Sequence, residues 1–240
     1  MDKKEQAAFL NQIFEEQGFS LTATQEAAFL CCYEKLVEEN QKMNLTAITD
    51  FKEVVIKHFL DSVLPLSCFP LSGSLIDVGS GAGFPGVPLK IMEPSLSLTM
   101  LDSLNKRVRY LQSLSEELSL EQTEALHGRA EDAVKERREM YDIATARAVA
   151  NLAVLAEYCL PFVKVGGVFI AYKGGDSEAE LLEAEAALQK LGGKTEEIKH
   201  FALPEDAGER SLILIRKVKK TPAGFPRRAG LPAKEPIMKR

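Results

Sequence analysis

The residues best suited to chemistry sit in one short segment. LIDVGSGAGFPG, Leu75 to Gly86, places an acid, Asp77, near the end of an apolar run and follows it with Gly79, Gly81, Gly83 and Gly86. Glycines at that density permit a tight turn and remove the β-carbons that would hold a ligand off the backbone. Pro85 suits the first turn of a helix, whose free N–H groups would face the same ligand. A dinucleotide phosphate and a nucleoside-like methyl donor could both use such a loop. The dinucleotide pattern GxGxxG is matched at Gly81, Gly83 and Gly86, but that register begins four residues beyond Asp77. The more natural register, from Gly79, puts Phe84 where the third glycine belongs, so the dinucleotide reading is the weaker one.

The elements that must position this loop can be read from hydrophobic patterning. Short β-rich runs occur at 75–78, 98–102, 124–128, 141–146, 167–172, 195–203 and 211–217, with helix-like stretches at 85–92, 105–118, 129–138, 149–160 and 176–191. Strands alternating with helices imply crossover connections and a mostly parallel sheet covered on both faces. The last two strands are joined by the short PEDAGER segment, which predicts an antiparallel pair. Before the loop, residues 1–66 pattern as helices, with Thr22 or Thr24 and Thr49 or Asp50 as cap candidates and Pro65 as a stop. The reading is an α/β fold with an N-terminal helical cap (1–66), a central domain (67–220) and a basic C-terminal extension (221–240).

Composition narrows the partners. With 45% hydrophobic and 27% charged residues, the chain reads as an ordinary soluble domain, and no apolar run is long enough to suggest a membrane span. Cys31, Cys32, Cys68 and Cys159 show no metal or redox spacing, and with three histidines no metal site is expected. A cytoplasmic, monomeric protein is the expectation. Net charge is −5, yet Arg216 to Arg240 holds nine basic residues against Glu235, or 9 − 1 = +8, leaving −13 elsewhere. A basic arm on an acidic body suits phosphate binding.

An acid on strand one, GxGxG, and an acid ending strand two resemble the class I methyltransferase fingerprint, whose cofactor is S-adenosylmethionine. Asp102, closing LTMLD, is the second acid, placed to accept hydrogen bonds from both ribose hydroxyls. An acid there suits NAD equally. The terminal hairpin and the acid before the glycines favour the methyl donor. Methyl transfer from a sulfonium is a direct displacement, so the protein mainly supplies alignment and electrostatics. Exocyclic-amine methylases carry Asn/Asp-Pro-Pro-aromatic after strand four, where this chain reads TARAVAN. Pyrimidine C5 methylases need a nucleophilic cysteine there, and Cys159 lies well into an apolar helix. The acceptor that needs neither device is a ring nitrogen with an in-plane lone pair, such as guanine N7.

Over nearly the whole chain, NLTAI (44–48), KHFLDSVLPL (57–66), DVGSGAGFPGVPL (77–89), LDSLNKRVRYLQ (101–112), GRAED (128–132), TARAVA (145–150), YKG (172–174), GERSLILIRK (208–217) and FPRRAGLPAKEPI (225–237) resemble the bacterial RsmG (GidB) family. The resemblance implies methylation of guanine N7 in small-subunit (16S) ribosomal RNA, on naked RNA or on a subunit particle. It makes Gly79, Phe84, Ala130 and Glu131 cofactor contacts beside Asp102, and lets Arg147 meet the cofactor carboxylate or the RNA. Asn44, His58 and Asp61 fall in motifs of the cap, where bracing is as good a role as substrate contact, and His58 is not needed as a base. Lys106, Arg107, Lys173, Arg210, Arg227 and Arg228 are the candidate phosphate contacts. Phe225 stands where tyrosine is common and still offers a ring for stacking. A small-molecule methyltransferase and an NAD-dependent oxidoreductase are the competing readings.

Overall fold

In the computed structural model the described residues are 1–147, 150–175 and 177–238. Two capped helices open the chain. In α1 (Lys3–Glu16) the Asp2 carboxylate accepts from the Glu5 N–H and the Glu5 carboxylate from the Asp2 N–H, a capping box that Thr22 and Gln25 repeat at the start of α2 (Ala23–Met43). Each box satisfies two otherwise orphaned donors at a helix start. A third segment is irregular: α3 (Phe51–Val54) passes into a π-helical turn (Val55–Leu60), then α4 (Asp61–Val63) and a 3-10 turn (Leu64–Ser67). Patterning predicts one regular helix here and gives no sign of the π turn.

Seven strands follow: β1 (Ser74–Val78), β2 (Ser97–Asp102), β3 (Thr123–His127), β4 (Tyr141–Arg147), β5 (Val163–Gly174), β6 (Gly193–Ala202) and β7 (Glu209–Lys217). All seven coincide with the expected runs. β5 starts four residues early because Gly166, at φ 93°, and Gly167 let it bend close to β4; a β-carbon on Gly167 would lie 2.5 Å from the Asp142 carbonyl oxygen. The order is β3-β2-β1-β4-β5-β7-β6, with β7 antiparallel to both neighbours. The connecting helices are α5 (Gly86–Met92), α6 (Asn105–Glu117), α7 (Ala130–Arg137), α8 (Leu152–Cys159) and α9 (Glu178–Leu191), with a short α10 (Leu231–Lys234) near the end. The expected first residues of the fourth and fifth helical stretches, 149 and 176, lie outside the described residues, as do 148, 239 and 240.

The two-residue period of the strands divides the core. Leu75, Leu98, Ile143, Ile170 and Leu214 face α1, α2, the residue 51–67 segment, α5 and α6. Ile76, Leu101, Ala144, Phe169 and Ile213 face α7, α8 and α9. The N-terminal helices therefore share one core with the sheet: Phe14, Phe29, Phe59 and Phe84 form a chain of aromatic contacts that ends on the glycine loop. Order along the sheet reverses between β1 and β4, and ligands of such sheets bind beyond the strand ends at that reversal.

Candidate cofactor and acceptor site

The glycine loop leaves β1 at the reversal. Gly79, Gly81 and Gly83 have φ of 79°, 58° and 94°, a region L side chains rarely adopt. A β-carbon on Gly83 would lie 2.9 Å from the Val87 side chain, and the N–H groups of Gly79 and Ser80 donate to the Leu101 carbonyl oxygen at 2.8 and 3.1 Å. Asp77 stays beneath the loop. Its Oδ2 accepts from the Gly86 N–H at 3.1 Å and its Oδ1 from the Thr145 hydroxyl at 3.4 Å, so it braces the loop from below. Complete burial pushes its carboxyl up to about 6. Pro85 sits at the cap position of α5, one residue ahead of its expected place.

One cavity of about 240 Å³ opens beside the loop, lined by Val78, Gly79, Leu101, Ala130, Glu131 and Tyr158 among others. Apolar walls, a tyrosine ring and a bare glycine backbone suit a nucleoside, and Glu131, 8% exposed, supplies a carboxylate. Gly79, Ala130 and Glu131 thus line one cavity. Asp102 is buried and not itself in the lining, although its neighbours Leu101 and Ser103 are. Its Oδ2 accepts from the Gly81 N–H at 3.0 Å, its Oδ1 from the Leu104 N–H at 2.8 Å, and Arg107 is 3.6 Å from Oδ2. A carboxylate has about four lone-pair positions, so acceptor capacity remains for a hydroxyl pair. Asp102 is also a clasp between the loop and the start of α6, a role its spacing does not reveal.

A second cavity, about 320 Å³, lies on the other side of the reversal, lined by Ile48, Lys57, His58, Asp61, Arg147, Tyr172, Lys173, Gly174 and Arg210. The π turn builds its floor. Arg147, at the end of β4, sends NH1 to the Lys57 carbonyl oxygen at 3.3 Å and to Asp61 Oδ2 at 3.2 Å, and its guanidinium lies 5.3 Å over the Phe84 ring. The His58 ring stacks on Phe84 with centroids 4.8 Å apart. Its Nε2 pairs with the Thr46 hydroxyl at 2.9 Å, and its Nδ1 either donates to the Lys57 carbonyl at 3.1 Å or accepts from Arg147 NH2 at 3.3 Å, according to the tautomer. Burial, and then the Arg147 charge, lower its pKa to about 4, so the imidazole is neutral near pH 7. Arg210 Nε is 3.3 Å from Asp61 Oδ1, but off a hydrogen-bonding line. Phe84 is 5% exposed and joins this cluster, not the first cavity's wall. Thr46 escapes sequence reading, because its partner is twelve residues away and only the π turn brings them together.

The remaining candidates scatter. Asn44 is the left-handed C-cap of α2, at φ 51°, which is reason enough for asparagine there. Lys106 is exposed and reaches the Met43 carbonyl oxygen at 3.4 Å, tying α6 to that cap. Lys173, though it lines the second cavity, spends its ammonium on Glu180 and the Ala150 carbonyl, both at 2.7 Å. The basic arm is only partly free. Arg216 pairs with Glu196 at 2.7 Å, Lys217 is fully buried, and Arg227 is bound to Glu157, while Arg228 is exposed. Arg227 therefore departs from its expected phosphate role: leaving Glu157, 1% exposed, would strand a buried carboxylate at a cost of about 3–5 kcal/mol.

A reversed β7 in a seven-stranded sheet, with a glycine loop and a nucleoside-sized cavity at the β1/β4 reversal, defines a class I S-adenosylmethionine-dependent methyltransferase. The architecture is shared with a SAM-dependent methyltransferase from Aquifex aeolicus, at TM-score 0.52 and 16% identity over 76% of this chain and 97% of that one. Sequence carries the assignment further. The profile of the family described as rRNA small subunit methyltransferase G matches residues 25–213. Ribosomal RNA small subunit methyltransferase G of Brevibacillus brevis is 48% identical over 98% of this chain and 99% of its own length. The protein of that name from Alkaliphilus metalliredigens is 51% identical over 93% and 95%. The chain belongs to the rRNA small subunit methyltransferase G family.

Proposed function

We propose that this chain transfers the methyl group of S-adenosylmethionine to N7 of a guanine in small-subunit ribosomal RNA, as the free RNA or within an assembling particle in the cytoplasm. The observation that carries the reading is the second cavity. It abuts the glycine loop through Phe84, is edged by basic side chains, and its histidine is neutral and already engaged on both nitrogens. His58 is thus not free to take a proton, which suits an acceptor that needs no base. Guanine N7 has its lone pair in the ring plane and no proton to lose, so alignment is the protein's contribution.

When bound, the cofactor supplies an electrophilic methyl on a sulfonium. The first cavity, with Gly79, Ala130 and Glu131, would hold its nucleoside part, and Asp102 would take the ribose hydroxyls. Arg147 and His58 pack on Phe84, which ties the wall of the second cavity to the glycine loop and fixes the two relative to each other. No thiol is called for: Cys159 is fully buried in α8, where desolvation pushes its thiol well above the ordinary range and disfavours a thiolate. The products are a cationic N7-methylguanine and S-adenosylhomocysteine.

The test is transfer of labelled methyl to small-subunit RNA, and to particles, from cells lacking the modification. Chain cleavage specific for N7-methylguanine should then coincide with the label. Label at another atom, or no incorporation together with saturable NAD binding, would overturn the reading.

A further inference from the structure

The C-terminal segment, whose charge suggests an arm for phosphate, is anchored from behind to residues that form the wall of the first cavity. Past β7 the chain runs along the α7 and α8 face and is held at four places. The Thr221 N–H donates to Glu139 at 2.9 Å, and Arg138 donates to the Phe225 carbonyl. Arg227 grips Glu157 with its backbone N–H at 2.8 Å, Nε at 2.9 Å and NH2 at 2.7 Å. The Gly230 N–H donates to Glu131 Oε1 at 3.0 Å.

The last two attachments bear on the ligand. Glu131 lines the cavity, and among the described residues the Gly230 N–H is the donor its carboxylate receives. Glu157 sits on α8 between Leu155 and Tyr158, both cavity walls. A carboxylate as buried as Glu157 is tolerable only while paired, so releasing Arg227 would disturb the turn of α8 that carries Tyr158. Docking of the tail therefore fixes both the carboxylate and the ring that the ligand meets.

We infer that Arg227 and Gly230 are positioning residues for the cofactor: the docked segment holds the cavity wall in its binding arrangement, and cofactor binding and tail docking reinforce each other. The reciprocity is required by linkage. The inference rests on assigning the first cavity to the cofactor.

The experiment uses the full chain and S-adenosylhomocysteine, with calorimetry for affinity and hydrogen exchange read by mass spectrometry. Saturating ligand should slow exchange in peptides covering residues 225–235 of the wild type. Arg227→Gln should weaken S-adenosylhomocysteine binding about tenfold, within the usual range of coupling between sites, and Arg227→Lys should recover part of the loss. The wild-type exchange measurement needs no variant, so it decides the matter even if Arg227→Gln folds poorly. Wild type that binds the ligand with unchanged exchange at 225–235, or a folded Arg227→Gln that binds as well as wild type, would overturn the inference. Wild type that fails to bind at all would bring down the cavity assignment, and this inference with it.

Discussion

The titrations of Asp77 and His58 oppose each other. His58 holds a pKa of about 4 in the folded chain against an ordinary 6.5, so the unfolded chain binds the extra proton and stability rises with pH from about 4 to 6.5. Asp77 holds its proton up to about 6 against an ordinary 3.8, so stability falls as pH rises through nearly the same window. The two largely cancel. Asp77→Asn removes one, and urea unfolding of that variant should show stability climbing by about 2 kcal/mol between pH 4 and 6.5, where wild type stays comparatively flat. Arg147 is a separate case. Its planar fork meets two carbonyls, Asp61 and the face of Phe84, which an ammonium cannot reproduce. Arg147→Lys should lower kcat at least tenfold while changing S-adenosylhomocysteine affinity less than threefold, measured by steady-state kinetics and calorimetry. Asp102→Asn should do the reverse, raising KM for the cofactor at least tenfold, because it loses an acceptor for the Gly81 or Leu104 N–H as well as for ribose.

Among the elements, the regular ones were legible from sequence and the irregular one was not. Alternating Leu75/Ile76, Ile143/Ala144 and Ile213/Leu214 report a sheet buried on both faces, and Thr22 with Gln25 reports a helix start, because these signals are local. Replacing Thr22 by Ala should cost about 1 kcal/mol in denaturant midpoint experiments, with the m-value unchanged. The π turn depends on distant groups: Arg147 takes its carbonyls, and Tyr172 donates to Ser62 just beyond it at 2.7 Å. Nothing within residues 55–60 announces those partners. The same reason hides Arg227, whose carboxylate lies seventy residues earlier. Charge density marked the tail, but the direction a side chain takes is decided by the partner it finds.

For the molecule as a whole, charge and shape divide the labour of recognition. The body is acidic, and the exposed cations of the C-terminal segment include Lys219, Lys220, Arg228 and Lys234. Removing one cation that neutralises a phosphate should lower the slope of log affinity against log salt by about one. Arg228→Ala with Lys234→Ala should therefore flatten RNA binding by about two while leaving calorimetric cofactor affinity unchanged. The reversal of β7 has a practical corollary. Because that strand descends while its neighbour β5 ascends, the polypeptide leaves the sheet at the strand ends remote from the glycine loop and must climb back across α7 and α8 to bring Gly230 to Glu131. The thirteen residues from Val218 to Gly230 could stretch to at most about 45 Å, against roughly 30 Å for the nine-residue strand they retrace, so the return path has limited slack. A deletion of several residues there would leave the sheet intact and yet fall short of Glu131. Shortening this return path would therefore be felt at Glu131, in the cavity wall, before it is felt in the sheet.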